Sequence, residues 1–530
     1  MTEKPAEAGI SLTEAPLAVW SKPGRAVAIF GLMLIMVIYE LDNSTIYVYS
    51  NYATSAFGAL SALASLNTAG QIAFGVVKVP IAKLSNIIGR GYTLAIAILL
   101  YTISYVLTAS ASNIGSYATG MVFYKIGQSG TNLMTSVMIS DFTTLRWRGL
   151  AIGVAYWPYL ITPWASGFIV DSVIHGIGWR WGIGMFAILM PIGASIITGT
   201  LIFYQRKAKK TGIIEPNKAT IYSFSSDIDL GGVVIFVAGF TTFLLPITIA
   251  GSLASGWKTP WIIPLIVIGF LVLLALPVYE KRIAENPMVP AFYFRNATIV
   301  LSLVLIAIDS LSFSCAHTYL YTWATISYNM SARDATFFNF TNGVTQCLAG
   351  ILAGWVMLVT GRYKWLVMGG AVIRLIGYGL MLRLRRQQSS IAELFIQQVI
   401  QGIGSGIIHT VLEVPPQIVV PQSHIAQVLS LTLTFAVLGS SVGSAISGGI
   451  YTNTLRPLLR KYLGKNATPE LVDDLFNSIT GVLPNWGSSE RMAISYAYTD
   501  MMKNFVYVSV GVSVFAIVIC FFLPDISLPK

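Results

Sequence analysis

The chain of 530 residues is 55% hydrophobic and only 10% charged, with a mean hydropathy of +0.70, whereas a water-soluble globular protein carries roughly 25% charged residues, so composition excludes that class. The formal net charge is +11, but Lys and Arg crowd short loops between apolar runs, the pattern of cytoplasmic loops in a membrane protein and not of a nucleic-acid-binding surface. Cys315, Cys347 and Cys520 all fall inside apolar runs and read as small core residues, not as a disulfide framework or a metal site.

Apolar runs of about 20 residues, each able to cross the ~30 Å hydrocarbon core, recur along the chain. Fourteen are expected: 26–49, 60–82, 92–112, 117–139, 150–172, 181–203, 229–249, 261–279, 297–319, 336–358, 365–383, 391–414, 425–450 and 502–523. Residues 1–25 read as a polar cytoplasmic tail without a cleavable signal. The basic stretches KLSNIIGRG, RWRG, RKAKK, EKR and GRYK follow the second, fourth, sixth, eighth and tenth runs, so one side collects them and is cytoplasmic. RLRR at 383–386 lies on the other side and requires snorkelling or a local change in the count.

The expected organisation is a bundle of six helices over 26–203, a cytoplasmic loop over 204–228 and two additional helices over 229–279. A second loop spans 280–296, and a second six-helix bundle covers 297–523, with an outward loop over 452–501 and a tail over 524–530. An internal repeat supports two related halves. Ala82, Gly89 and Arg90 follow the second run, and Gly354, Gly361 and Arg362 follow the tenth, both as small-x6-Gly-Arg. Duplicated halves characterise secondary transporters, whose site lies between them.

The first run ends in YELDNSTIYVYSNYATSAF, which puts Glu40 and Asp42 in its outer half. A carboxylate in hydrocarbon is costly, so it faces a cavity, finds a partner or does a job. Two residues subtend about 200° on a helix. Glu40 therefore shares a face with Ser44 and Tyr47, and Asp42 with Thr45, Ile46 and Tyr49. Lys78, near the end of the second run, reads as a snorkelling amine. Lys125, Gln128, Asn132, Ser136 and Ser140 stripe the fourth run at helical spacing. Asp141, Arg146 and Arg148 flank its cytoplasmic end, where charges either gate a carrier or simply set topology.

Asp309 in the ninth run has Ser310, Ser312 and Ser314 beside it and His317 on roughly the same face. Arg374 stands alone in the eleventh; like Lys125, it either attracts an anionic group or neutralises a buried carboxylate. The twelfth run repeats polar residues every fourth position: Gln397, Gln401, Ser405, His409, Glu413 and Gln417. His409 and Glu413 are thus expected to share a face and a proton, since histidine titrates near neutrality. The competing reading is a polar clamp before Pro415-Pro416. In the outward loop, Thr468-Pro469-Glu470 predicts a helix start, with Leu471, Val472, Leu475, Phe476 and Ile479 as its apolar face. That helix is either a lid over the entrance or a passive cap.

AKLSNIIGRG resembles the signature loop of the major facilitator superfamily, with Asn86 in place of the usual aspartate, and LDNSTIYV resembles the first-span motif of its fourteen-span branch. Within that branch YSNYATSAF, DFTTLRWRGL, GWRWGIGMFAI and GSSERMAISYAY are most similar to the fungal siderophore–iron transporters. YWPYLITPWASG keeps Pro163 and Gly167 but lacks the glycine pairs of the antiporter signature, which favours import over drug export. The resemblance implies an all-α polytopic membrane protein of the major facilitator fold, with about fourteen transmembrane helices: two pseudo-symmetric six-helix bundles plus two more. It implies gating by Asn86, Gly89, Arg90, Asp141, Arg146, Arg148, Gly361 and Arg362.

It further implies proton-coupled uptake of an intact ferric siderophore, with iron kept inside a hydroxamate chelate and neither a cofactor nor protein metal ligands. Such a bulky, nearly neutral cargo suits Tyr47, Tyr49, Asn132, Trp157, Tyr319, Tyr321 and Gln401, with Lys125 and Arg374 available to anionic groups. Glu40, Asp42, Asp309, His409 and Glu413 are the proton-coupling candidates. Its expected partners are the siderophore, protons and the lipid bilayer, with no nucleic acid, and it is expected to act as a monomer in the plasma membrane or, failing that, an endosomal or vacuolar one. The alternatives are a glutathione–proton exchanger, a drug–proton antiporter and a membrane sensor on a transporter scaffold. Neither GxxxxGK[ST] nor HExxH occurs, so an ATP-driven pump or a membrane enzyme is a poor fit.

Overall fold

The computed structural model describes residues 20–57, 62–211, 221–250, 256–287, 289–386, 389–477 and 484–528. Most of the N-terminal tail, the centre of the 204–228 loop and Ile479 lie outside them. The first half comprises α1 (Lys22–Ala56), α2 (Ala62–Val76), α3 (Lys78–Ile87), α4 (Arg90–Ala109), α5 (Ile114–Phe142), α6 (Leu145–Ala155), α7 (Thr162–His175), α8 (Gly178–Gly184) and α9 (Phe186–Lys210). A short α10 (Ile221–Ile228) leads to α11 (Leu230–Ala250) and α12 (Ile262–Arg282). The second half comprises α13 (Ala297–His317), α14 (Leu320–Tyr328), α15 (Ala332–Thr360), α16 (Lys364–Leu384), α17 (Ile391–Leu412), α18 (Pro415–Ile418), α19 (Ile425–Leu463), α20 (Pro469–Asn477) and α21 (Ser489–Phe522).

Among the described residues, eleven helical stretches are long and apolar enough to cross a membrane. The other three expected spans fall on helices that are too short or too polar to qualify. The second divides at Val77 into α2 and α3, because Pro80 has no N–H to give the carbonyl of Val76. The fifth divides around a 3₁₀ turn at Trp157–Leu160, with Pro158 in that turn and Pro163 at the start of α7. The fourth, α5, is continuous but carries the polar stripe.

α11 and α12 form a hairpin at the edge. α11 packs on α2 of the first half and α19 of the second, while Val267, Phe270, Leu271, Leu274 and Val278 of α12 are exposed, an apolar face suited to lipid. The long outward loop is largely helical: residues 452–463 prolong α19, which at 39 residues runs about 58 Å, and residues 489–501 begin α21. α20 starts where the sequence predicts, with Thr468 Oγ1 accepting from the N–H of Leu471. RLRR also resolves locally, since Arg385 turns into the protein and donates to the Ala316 carbonyl at 2.9 Å.

The halves meet closely on the side of the basic loops. Gly149 and Gly153 of α6 cross Gly350 and Gly354 of α15; a Cβ on Gly354 would stand 2.5 Å from the Gly149 carbonyl oxygen. Ala82, Leu133 and Val137 of the first half pack on Ala426 and Leu429 of the second. The two signature glycines, Gly89 and Gly361, both adopt positive φ (93° and 66°), a region that favours glycine.

Candidate functional site

A cavity of about 760 Å³ lies between the halves. It runs from Tyr47 and Ser50, on the last turns of α1, to Glu413 at the end of α17, and it reaches the glycine crossing of α6 and α15 at Gly153, which is part of its lining. Amides and phenols dominate its polar lining: Asn43, Gln71, Tyr124, Tyr156 and Tyr159 from the first half, Asn339, Asn342 and Gln346 from the second. α15 presents its three amides at positions i, i+3 and i+7, one face of a helix. Gly343 on that face lets Tyr159 approach; a Cβ there would meet the ring at 2.7 Å. The spacing NFTNGVTQ and the tyrosines of YWPYL were open to the same periodicity argument that marked the twelfth run, but the sequence reading passed over them.

The two acids of the first span part as helical geometry requires. Glu40 lines the cavity beside Asn43, and its Oε2 has no hydrogen-bond partner. Asp42 points into the first half, where the hydroxyls of Tyr101 and Tyr124 donate to its Oδ2, the second at 2.9 Å. In the second half Asp309 receives Arg374 through Nε at 2.7 Å and Nη2 at 2.9 Å. His409 Nε2 lies 3.2 Å from the same carboxylate.

That arrangement corrects the expected partner of His409. It pairs with Asp309, a hundred residues away, and not with Glu413, whose Oε2 is left without a hydrogen-bond partner at the cavity floor. Arg374 also donates to Gln401 Oε1 at 2.8 Å, and Gln401 returns a bond to the Arg374 carbonyl at 3.1 Å. Both are buried in this network and are not part of the cavity lining. His317 lines the cavity but bonds Gln398 at 2.9 Å, away from Asp309.

Of the remaining predicted ligands, Tyr47 and Lys125 face the cavity. Tyr47 is 57% exposed at the rim, and Lys125 donates to Gln128 at 2.9 Å. Tyr49 is fully buried against Gly182 of α8. Asn132 sits behind the wall, donating to the Tyr156 hydroxyl at 3.2 Å. Trp157 gives way to its neighbours Tyr156 and Tyr159. Tyr319 stacks on Tyr451, with centroids 4.4 Å apart, in the cluster beneath α20, and Tyr321 packs beside it. α20 itself is held to α19 and α21 by Tyr451 and Tyr498, which donate to the carbonyls of Phe476 and Leu475, and none of its described residues lines the cavity.

The family profile described as Major Facilitator Superfamily matches residues 32–327. The chain belongs to that superfamily. Among curated relatives of this superfamily member, MFS siderochrome iron transporter B of Aspergillus fumigatus is 30% identical over 93% of this chain and 81% of its own length. Low affinity heme transporter str3 of Schizosaccharomyces pombe is 30% identical over 82% and 71%. Among solved structures, the proton:xylose symporter XylE superposes with a TM-score of 0.54 at 14% identity, covering 95% of this chain and 97% of that one, which establishes the shared fold.

In this member of the superfamily the signature loop bridges the halves. Arg90 Nε donates to Asp141 Oδ2 at 3.0 Å and Nη1 to Asn86 Oδ1 at 2.7 Å. Asn86 donates across the seam to the Ser423 carbonyl at 3.0 Å, and Gln422 reaches back to Asp141 Oδ1 at 3.0 Å. The missing aspartate is thus replaced by an amide that contacts the other half directly. Arg146 donates to the Leu358 carbonyl at 3.0 Å, again across the seam, while Arg148 stays local, on the Ser140 carbonyl at 2.7 Å. Arg362 has a different fate from Arg90: it pairs with Asp525 of the tail.

Proposed function

We propose that this chain is a proton-coupled carrier with fourteen membrane spans that takes up intact ferric siderophores of the hydroxamate class. The observation that carries the reading is the cavity: large, placed between the halves, and lined by amides and phenols with few charges. Such groups match the oxygen- and amide-rich surface of a metal chelate whose own charge is nearly balanced. Relatives named as siderochrome or siderophore iron transporters support the cargo. The three expected spans that are short or polar (the second, fourth and fifth) line the cavity, where polarity is tolerated because it faces water and cargo instead of lipid.

Glu40 and Glu413, the carboxylates that line the cavity with a buried oxygen left unpartnered, are the groups best placed to take up a proton from it. Asp42 and Asp309 are already held by donors and serve the conformation of their halves. Arg374 is neutralised by Asp309, which leaves Lys125 as the cation for any anionic group of the cargo.

The test is uptake of radiolabelled ferric hydroxamate siderophore by yeast lacking its own siderophore transporters. Accumulation against a gradient, faster in acid medium and stopped by an uncoupler, is the expected result. No accumulation of any hydroxamate chelate, with release of glutathione instead, would overturn it in favour of an exchanger. Uptake of heme alone would keep the carrier and change its cargo.

A further inference from the structure

Asn-x-Ser/Thr is the acceptor triplet for an N-linked glycan, provided the middle residue is not proline. Five such triplets occur in the chain, at Asn43, Asn296, Asn329, Asn339 and Asn466, so the motif alone selects nothing. The fold separates them. Asn43 of α1 and Asn339 of α15 line the cavity within spans, where a bulky glycan has no room. Asn296 lies at the end of the 280–296 loop on the side of the basic loops. It caps α13 by accepting from the N–H of Thr298 at 3.0 Å, and Thr298, the hydroxyl residue of its triplet, is buried.

The other two lie on the outward side, in different settings. Asn329 belongs to a turn of three residues between α14 and α15, with left-handed backbone (φ 51°), just before the tenth expected span begins at 336. A tight turn between two spans is held near the membrane surface. Asn466 instead follows the outer end of α19. The expected span ends at 450, and the helix continues to Leu463, which carries the chain about 20 Å further. Arg460 and Lys461 on that extension are exposed, as suits a helix that stands in water and not in lipid. Asn466 and Thr468 are exposed in turn, on the short connection that leads into α20.

The amide has room for one substituent. A carboxamide nitrogen carries two hydrogens. Asn466 Nδ2 gives one to Glu490 Oε1 at 2.9 Å, in the first turn of α21, which leaves the second for substitution.

We propose that Asn466 is the residue at which this chain carries an N-linked glycan, added from an oligosaccharide borne on a polyprenyl diphosphate. Asn466 Nδ2 bonds to the anomeric carbon of the oligosaccharide as the bond from that carbon to the diphosphate oxygen breaks. The diphosphate leaves with the electron pair, and the displaced amide hydrogen leaves as a proton. The glycosylated amide keeps one N–H and with it the bond to Glu490, so the glycan is rooted where α19, α20 and α21 meet. Only the outward placement of residues 452–501 is needed for this, and not the identity of the cargo.

The experiment expresses the tagged full-length chain in yeast and compares its gel mobility before and after endoglycosidase H, which removes high-mannose N-linked glycans. Wild type is expected to run faster after digestion, by the mass of one glycan. Asn466→Gln and Thr468→Ala should run at the digested position without enzyme, whereas Thr468→Ser, Asn329→Gln and Asn296→Gln retain the shift. Ala467→Pro removes the acceptor by a second route, because proline in the middle of the triplet blocks transfer while Asn466 and Thr468 stay in place. Ala467 has φ −78°, which proline adopts, so this variant should fold and lose the shift even where Asn466→Gln fails to accumulate.

No shift in the wild-type chain, or a shift that survives in Asn466→Gln or Ala467→Pro, would overturn the proposal. A shift lost only in Asn296→Gln would overturn it as well, by placing the basic loops outside the cytoplasm. If the same cells take up no siderophore but the shift depends on Asn466, the carrier reading fails and the modification stands.

Discussion

Tyr101 and Arg374 each reach, from the helix that follows a glycine–arginine loop, the one aspartate carried by the first helix of its own half. Tyr101 on α4 donates to Asp42, and Arg374 on α16 donates to Asp309 at 2.7 Å. The next helix supplies a second partner in both halves, Tyr124 on α5 and His409 on α17. The geometry is repeated while the charge is not: phenols hold one carboxylate, an arginine and a histidine the other.

This difference predicts unequal costs. Removing one member of a buried ion pair strands a charge and costs about 3–5 kcal/mol, so Arg374→Ala should unfold at far lower denaturant or temperature than wild type. Tyr101→Phe removes one neutral donor while Tyr124 remains, and should cost about 1 kcal/mol. Asp309→Asn in the Arg374→Gln background should recover most of the loss. Unfolding of the purified protein in detergent checks all three, and equal effects of Arg374→Ala and Tyr101→Phe would contradict the assignment.

The cavity wall predicts which residues set apparent affinity. Gln346→Leu and Asn339→Leu remove amides from the lining. Each lost hydrogen bond is worth about 0.5–1.5 kcal/mol, so KM for a ferric hydroxamate should rise roughly two- to tenfold per substitution. Tyr49→Phe and Tyr319→Phe alter residues that pack inside their own halves and should leave KM unchanged. Concentration-dependent uptake by expressing cells separates the two groups.

Eleven of the expected spans were legible because an apolar run long enough to cross a bilayer has few other uses, and the split between Glu40 and Asp42 followed from helical angle alone. The expected mate of His409 was misplaced for a physical reason. Glu413 is near in sequence, but the partner was decided by how α13 packs on α17, which no local pattern records. Tyr49 and Tyr319 were misplaced similarly: an aromatic stripe states that a face is buried, not whether it looks at a cavity or at its own bundle. Asn339, Asn342 and Gln346 had a readable periodicity and were missed because their span carries no full charge within that stretch to draw attention.

The tail docks on the second signature loop, and its contacts are of unequal weight. Leu528 donates its N–H to the Gly361 carbonyl at 2.9 Å and buries its side chain, whereas the Arg362–Asp525 pair is open to solvent. Exposed pairs contribute about 0–1 kcal/mol. Asp525→Asn should therefore leave the tail protected from limited proteolysis, and Leu528→Glu should expose it, since burying that carboxylate is unfavourable. Cleavage of both variants at the same rate would show that the apolar anchor is unimportant.

The glycine crossing predicts where a single carbon stops transport. Gly354 of α15 lies so close to α6 that a Cβ would meet the Gly149 backbone at 2.5 Å, and Gly153 meets Gly350 at 2.9 Å. Real Cβ atoms do not approach backbone that closely, so Gly354→Val must push α15 from α6 and weaken the seal on the basic-loop side. Gly379 of α16 has nothing within 4 Å and serves as the control. We expect Gly354→Val to lower uptake at least tenfold, equivalent to about 1.4 kcal/mol, and Gly379→Val to retain it. Cys347, which lines the cavity, reports on the mechanism: in inside-out vesicles an impermeant maleimide should label it faster in Gly354→Val than in wild type, because the seal that normally closes that side is loosened. Equal labelling in the two proteins would place the defect elsewhere than the seal.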